Sequence, residues 1–407
     1  MESLEALHQR IPIVDAHLDL AYDLYAKRRN GRTHVIRDEY LEDFRKGGVR
    51  VVVSSLFVDG RDLPEGALHQ ALGQVGALYA ELRETPELAL CRSYPEIEAA
   101  LGAGKIALLL SFEGVEPLGN EEELLPVFYE LGVRMVGLCW SRRNLAADGA
   151  LYSDEPQGQK SGLSPFGYRL VEKALSLGML IDVSHLNDEG FADVMKLSDR
   201  PVIASHSNTR SLLPTPRNLS DRQIEAIAAT GGVIGINGVS SLVGASAEEA
   251  TLGRLADHME QIVRVGGEDC LGLGFDFAEK ILAPGASFVV GGNDVRAFDI
   301  LGTHAGLPRL TEELLRRGWS ARARAYLKSP LPAAPTPAKA RPSTCSPVKG
   351  ASLLRPRHRA ARNSSTSLRF LAKFPTARSA SRLHIWWICR ATATPKPLRK
   401  SAKPGAD

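Results

Sequence analysis

Ile13-Val14-Asp15-Ala16-His17-Leu18-Asp19 decides how the rest of the chain is read. A short apolar run ends in a histidine and an aspartate two residues apart. On a β-strand, residues i and i+2 point to the same face, so both side chains project together at the strand's C-terminal end. An imidazole nitrogen and a carboxylate oxygen make a ligand set for zinc or a similar divalent ion. An unpaired aspartate buried beside apolar neighbours is costly, and a metal would supply its counter-charge. The competing reading is an aspartate that caps a helix next to an incidental histidine.

Outward from this stretch, short β-branched-rich runs alternate with longer amphipathic segments. Strands are expected at 12–19, 49–57, 105–112, 133–139, 179–184, 201–205, 232–237 and 270–276. Helical patterns lie between them, at Leu68–Leu82, Glu121–Leu131, Pro165–Leu177, Asp188–Leu197, Ser220–Ala229 and Ala247–Val265. Near-continuous apolar strands separated by helices imply a parallel sheet covered on both faces. Eight such units within 280 residues fit a (β/α)8 TIM-type barrel better than an open doubly wound sheet. No G-x-G-x-x-G follows the first strand, which weakens a dinucleotide-binding reading. Ser220-Asp221 before Gln223-Ile224 reads as a helix start, and Gly178 and Gly231-Gly232 as helix stops.

Four further strand ends carry the same kind of chemistry. Ser111-Phe112-Glu113-Gly114, Asp182-Val183-Ser184-His185, Ala204-Ser205-His206-Ser207 and Gly272–Phe277, with Asp276, each close an apolar run. In a barrel these ends gather on the face where barrel active sites lie. Any one histidine could be an ordinary residue of the barrel rim. His17, Asp19, Glu113, His185 and His206 together offer three imidazoles and two carboxylates. That is enough for two metals if one carboxylate bridges them.

These motifs, with Arg217-Asn218, resemble the membrane (renal) dipeptidase family of binuclear zinc peptidases, including its bacterial members, in order and over about residues 10–320. The resemblance implies two zinc ions per chain, with His17 and Asp19 on one, His185 and His206 on the other, and Glu113 bridging. It places Arg217 on the substrate's carboxylate, Trp140 and Asn144 along the substrate pocket, and Asp276 close to the scissile group. Asp276 and Glu113 are then the catalytic carboxylates. The chemistry implied is hydrolysis of free dipeptides by a metal-bridging hydroxide, which is a strong nucleophile near neutral pH. Two departures stand out. Trp140 occupies a place where many members have a histidine, and Ala278 stands where an aspartate often follows the phenylalanine. Other amidohydrolase-type barrels, such as deaminases or lactonases, more often begin with HxH than with this HxD.

Charge is divided unevenly along the 407 residues: residues 321–407 carry a formal +18 and residues 1–320 a formal −15. The C-terminal stretch also holds 11 of the 24 prolines, and neither helical nor strand periodicity persists in it. The chain therefore divides into a metallopeptidase barrel, 1–320, and a basic tail, 321–407, that is either disordered or the product of a reading-frame change. A frame change would leave an inactive product with a damaged C-terminus as an alternative outcome. Leu310–Ser320 reads as a helix with no partner after it. Five scattered cysteines without a CxxC pair, no leader pattern and no long apolar run point to a soluble cytoplasmic protein. No membrane or nucleic-acid partner is expected, and a homodimer is allowed but not required.

Overall fold

In a computed structural model, residues 7–8, 11–150, 158–281, 288–290, 293–295 and 297–319 are described. The expected tail, 321–407, lies outside the described residues. Strands β1 (Ile13–Leu18), β2 (Val49–Phe57), β3 (Leu88–Leu90), β4 (Ile106–Glu113), β5 (Val133–Gly137), β6 (Leu180–Asp182), β7 (Ile203–Ala204), β8 (Val233–Ile236) and β9 (Leu271–Leu273) form one sheet. Eight of them run parallel in the order β1-β2-β4-β5-β6-β7-β8-β9, a nearly closed barrel of the (β/α)8 type. The helices between them include α1 (Leu20–Arg29), α2 (Leu41–Gly47), α3 (Ala67–Glu84), α4 (Tyr94–Gly102), α5 (Leu124–Glu130), α6 (Pro165–Ser176), α7 (Asp188–Leu197), α8 (Asp221–Ala229), α9 (Leu252–Gly266) and α10 (Leu307–Arg316).

The period of two divides the strand residues between two cores. Val51, Val53, Ala107, Leu109, Met135, Leu180, Ile203 and Val233 fill the barrel interior. Val52, Leu56, Leu108, Leu110, Phe112, Val136, Ile181 and Ile234 face the helices. The cross-strand register places Glu113 beside Gly137 and Gly137 beside Asp182. These three residues therefore share the interior layer at the C-terminal mouth, where Gly137 leaves room for the carboxylates on either side.

The helix ends follow their local chemistry. Ser220 and Gln223 close a reciprocal capping box at the start of α8. Gly178 (φ +77°) and Gly231 (φ +71°) adopt the left-handed conformation that ends α6 and α8. The helix expected from Ala247 begins only at Leu252, because Thr251 caps it through the Arg254 N–H. Likewise α5 starts at Leu124, three residues later than expected. The short strand β3, paired with the early part of β4, and the hairpin β10 (Phe288–Val290) and β11 (Asn293–Val295) were not anticipated.

The last described helix, α10, finds its partners in elements that precede it in the chain. Its Arg317 binds Asp257 at 2.7 Å and Glu260 at 3.2 Å on α9, while His8 Nε2 lies 2.7 Å from Thr311 Oγ1. The Trp319 indole N–H donates to Glu260 at 3.4 Å.

No strand ladder joins β9 to β1 among the described residues. Side chains close this seam instead. Asp15 Oδ1 accepts the Phe275 N–H at 3.1 Å and the His17 N–H at 3.3 Å, and the Asp276 N–H reaches the His17 carbonyl at 3.3 Å. Asp15 Oδ2 is held at 2.7 Å by Nε2 of His304, whose ring stands edge-on to Phe44 and Phe277.

Candidate metal centre

Six of the residues singled out in the sequence converge at the barrel mouth. Glu113 ends β4 with its two oxygens facing different ways. Oε2 is 3.6 Å from His17 Nε2, while Oε1 is 2.9 Å from His185 Nε2 and 3.4 Å from His206 Nε2. Asp19 Oδ1 and Asp276 Oδ1 approach His17 Nε2 at 3.9 and 3.7 Å. Asp19 sits at the N-cap position just before α1, yet its side chain makes no capping hydrogen bond. It accepts the Ser55 hydroxyl instead and keeps its carboxylate on the site. The helix-cap alternative therefore does not describe it.

Two groupings have the spacing of a metal site: His17, Glu113 and His206, and His17, Asp19 and Asp276. His17 belongs to both. Its two ring nitrogens and Glu113 Oε2 are buried without a hydrogen-bond partner. Buried polar atoms are nearly always satisfied, so three orphans in one cluster mark a place built for another ligand. The donor set of imidazole and carboxylate suits a divalent metal.

The electrostatics ask for the same thing. Burial opposes a charge on His17, but Glu113, Asp276 and Asp19 outweigh it and hold the imidazolium up to about 10. Burial, reinforced by the neighbouring Glu113 charge, pushes the Asp19 carboxyl well above its ordinary value. Burial lifts Asp276 to about 6. His185 is pushed down to about 3 by burial and then by the Arg217 charge. Carboxylates that resist ionising beside a histidine that clings to a proton describe a pocket short of positive charge. His185 (φ +68°) and Asp276 (φ +59°) are also two of three described non-glycine residues with left-handed backbone, and such strain gathers at functional sites.

Around this ring lie partners that the sequence did not reveal. Ser141 Oγ is 2.7 Å from His185 Nδ1, and Ser205 Oγ is 2.6 Å from His206 Nδ1. Asn237 donates to Asp276 Oδ2 at 3.0 Å. Serines are too common to be found by spacing, and Asn237 only by its place at the end of β8.

Arg217 is 2% exposed, and among the described residues it has no carboxylate within ion-pair distance. Its guanidinium donates to Ser207 Oγ at 2.9 Å and to the His206 carbonyl at 2.7 Å, and its Nε is unpartnered. Trp140 lies beside the cluster, 5.9 Å from the His185 ring and 5.6 Å from Phe57 between centroids. Asn144, expected along the substrate pocket, is committed to its own loop. Its amide donates to the Leu138 carbonyl at 2.8 Å, and its oxygen accepts the N–H groups of Ala146 and Ala147. It shapes the turn that carries Trp140.

The profile of a family described as "Membrane dipeptidase (Peptidase family M19)" matches residues 1–327. The chain belongs to the membrane dipeptidase family. An uncharacterized protein in the pqqA 5' region of Klebsiella pneumoniae is 33% identical over 236 residues, covering 57% of this dipeptidase-family chain and 82% of the relative. Dipeptidase ataJ of Aspergillus terreus is 27% identical over 343 residues, covering 76% and 80%. A crystal structure of a metallo peptidase from Rhodobacter sphaeroides, liganded with a phosphinate mimic of the dipeptide L-Ala-D-Ala, matches with a TM-score of 0.66 at 25% identity. That match covers 77% of this chain and 95% of the other. As a membrane dipeptidase family member, the protein is a peptide-bond hydrolase of the metallo-dipeptidase kind, and the family implies metal ions. Among the described residues, no helix of this family member is long and apolar enough to cross a membrane.

Proposed function

We propose that the protein is a zinc-dependent dipeptidase that holds two zinc ions and cleaves free dipeptides. The observation that carries the reading is Glu113, which turns one oxygen to His17 and the other to His185 and His206. A carboxylate so placed suits a bridge, with His17 and Asp19 on one side and the two histidines on the other. Zinc bound there supplies Lewis-acid polarisation of a carbonyl and makes water acidic enough to attack at neutral pH.

The chain's own residues do the rest. Arg217, a buried cation with no carboxylate partner among the described residues, is the group to take the substrate's C-terminal carboxylate through a charge-assisted pair. Asp276, steadied by Asn237, faces His17 with the oxygen that would hold a proton and pass it to the departing amine. Trp140 offers a large apolar face beside His185, which would exclude water from one wall of the pocket.

The test is zinc titration of metal-depleted protein with dipeptide hydrolysis read alongside. About two zinc ions per chain, with turnover lost to a chelator and restored by zinc, is the expected result. Zinc uptake without turnover would fit a damaged enzyme. Turnover of lactones or aminated heterocycles in place of dipeptides would move the protein to another amidohydrolase class. Hydrolysis indifferent to metal would sink the proposal.

A further inference from the structure

Asp182 belongs to none of the roles above, yet it stands in the same interior layer as Glu113 and is buried. Its surroundings are all donors. Oδ1 accepts the N–H groups of Ser184 at 3.0 Å and Ser205 at 2.9 Å, and Oδ2 accepts the Ser205 hydroxyl at 2.5 Å. The other acceptors in reach of Ser205 Oγ are uncharged: the lone pair that His206 Nδ1 would carry at 2.6 Å if bare, and Ser184 Oγ at 3.5 Å, which already receives the His206 N–H at 3.1 Å. The carboxylate is nearer and charged, so it takes the hydroxyl proton.

That leaves Ser205 Oγ only its lone pairs for His206 Nδ1, 2.6 Å away. A hydroxyl whose proton is spent can only accept, so Nδ1 must carry the hydrogen and Nε2 must present its lone pair. We infer that Asp182, acting through Ser205, is a positioning residue that fixes His206 as the Nδ1–H tautomer, with Nε2 preset toward Glu113 and the metal. His185 is held differently. Its Nδ1 meets Ser141 Oγ, for which no carboxylate backing is seen among the described residues, so Ser141 can donate or accept as the ring requires. The two histidines also face each other, Nε2 to Nε2, at 2.7 Å, so in the metal-free protein a bare His206 Nε2 leaves His185 as the donor of that pair, and metal binding would release that hydrogen. One histidine is therefore preset and its neighbour adapts. The inference rests on reading His206 as a metal ligand.

The test uses full-chain protein labelled with 15N-histidine. In metal-depleted wild type, long-range 15N–1H spectra should show His206, assigned by its loss in His206→Gln, protonated at Nδ1 alone. Asp182→Asn is the decisive variant. Its Oδ1 can keep both backbone N–H groups, which turns the amide NH2 toward Ser205 and reverses the chain. Ser205 then donates to Nδ1, and His206 should switch to Nε2–H. Ser205→Ala should leave a mixed tautomer. In both variants zinc affinity, by chelator competition, should fall about 10–100-fold, while Ser205→Thr restores most of it. Circular dichroism of the metal-free variants shows whether they fold, and should either fail, the wild-type tautomer and Ser205→Thr still decide. An Nε2–H tautomer in the wild type, or an unchanged tautomer and zinc affinity in the folded variants, would overturn the inference. Failure of wild type to bind zinc would instead remove the metal reading beneath it.

Discussion

At the scale of single residues, Arg217 is the most consequential side chain outside the ligand ring. If it pairs with the substrate carboxylate, Arg217→Ala should cost about 2–5 kcal/mol of transition-state binding, seen as a loss in kcat/KM. A C-terminally amidated dipeptide lacks that carboxylate, so wild type and variant should process it almost equally slowly. A full-sized loss on the amidated substrate as well would show that Arg217 serves only the loop. The clustered residues at the barrel mouth were legible because each combines a chemically distinctive residue type with a strand end. Asp15 was not legible as a seam residue, because its partner His304 lies 289 residues away and follows no periodic element. Removing that partner by His304→Ala leaves a buried carboxylate short of its donor. A loss of about 3–5 kcal/mol in urea unfolding is expected, and a loss below about 1 kcal/mol would mean the ring only fills space.

At the scale of elements, α9 is tied to the mouth by His258, which is fully buried on the helix. Its Nδ1 accepts the Thr209 N–H at 3.2 Å, and its Nε2 lies 3.0 Å from the Val243 carbonyl. Burial pushes this imidazole down to about 4, against an ordinary value of 6.5. The folded state thus favours the neutral ring. The stability it contributes is complete above pH 6.5 and is lost as the pH falls toward 4, by about 3 kcal/mol. The difference in urea midpoint between wild type and His258→Gln should shrink across that window, and a constant difference would refute the assignment. A helix start was legible where its cap was recognised, as with Ser220 and Gln223, which act within four residues; the Thr251 cap is as local, but the apolar pattern reaching back to Ala247 masked it. The late strands were legible in place but not in length. The chain leaves the ladder at Asp182 so that the backbone of His185 can turn, and hydrogen bonds to side chains replace strand pairing there.

At the scale of the whole molecule, the proposed ligands come from β1 and its C-terminal end, β4 and the loops after β6 and β7, so metal held by them would be a folding term as well as a chemical one. Zinc at about 1,000 times its dissociation constant should add about 4 kcal/mol to stability, read as a rise in the unfolding midpoint. A midpoint indifferent to zinc would show that the cluster does not bind it in the native state. The joint between β9 and β1, unlaced among the described residues, gives this coupling a location. Phe275 and Asp276 rest on a carboxylate and a single carbonyl rather than on a ladder. Their amide hydrogens should therefore exchange with solvent sooner than those of the β2–β4 pair, through a local opening rather than global unfolding. Because His17 and Asp276 flank that joint, each such breath would part the proposed ligand His17 from the carboxylate it faces before it parted the barrel, and a metal bound to His17 would act as the latch that keeps it shut.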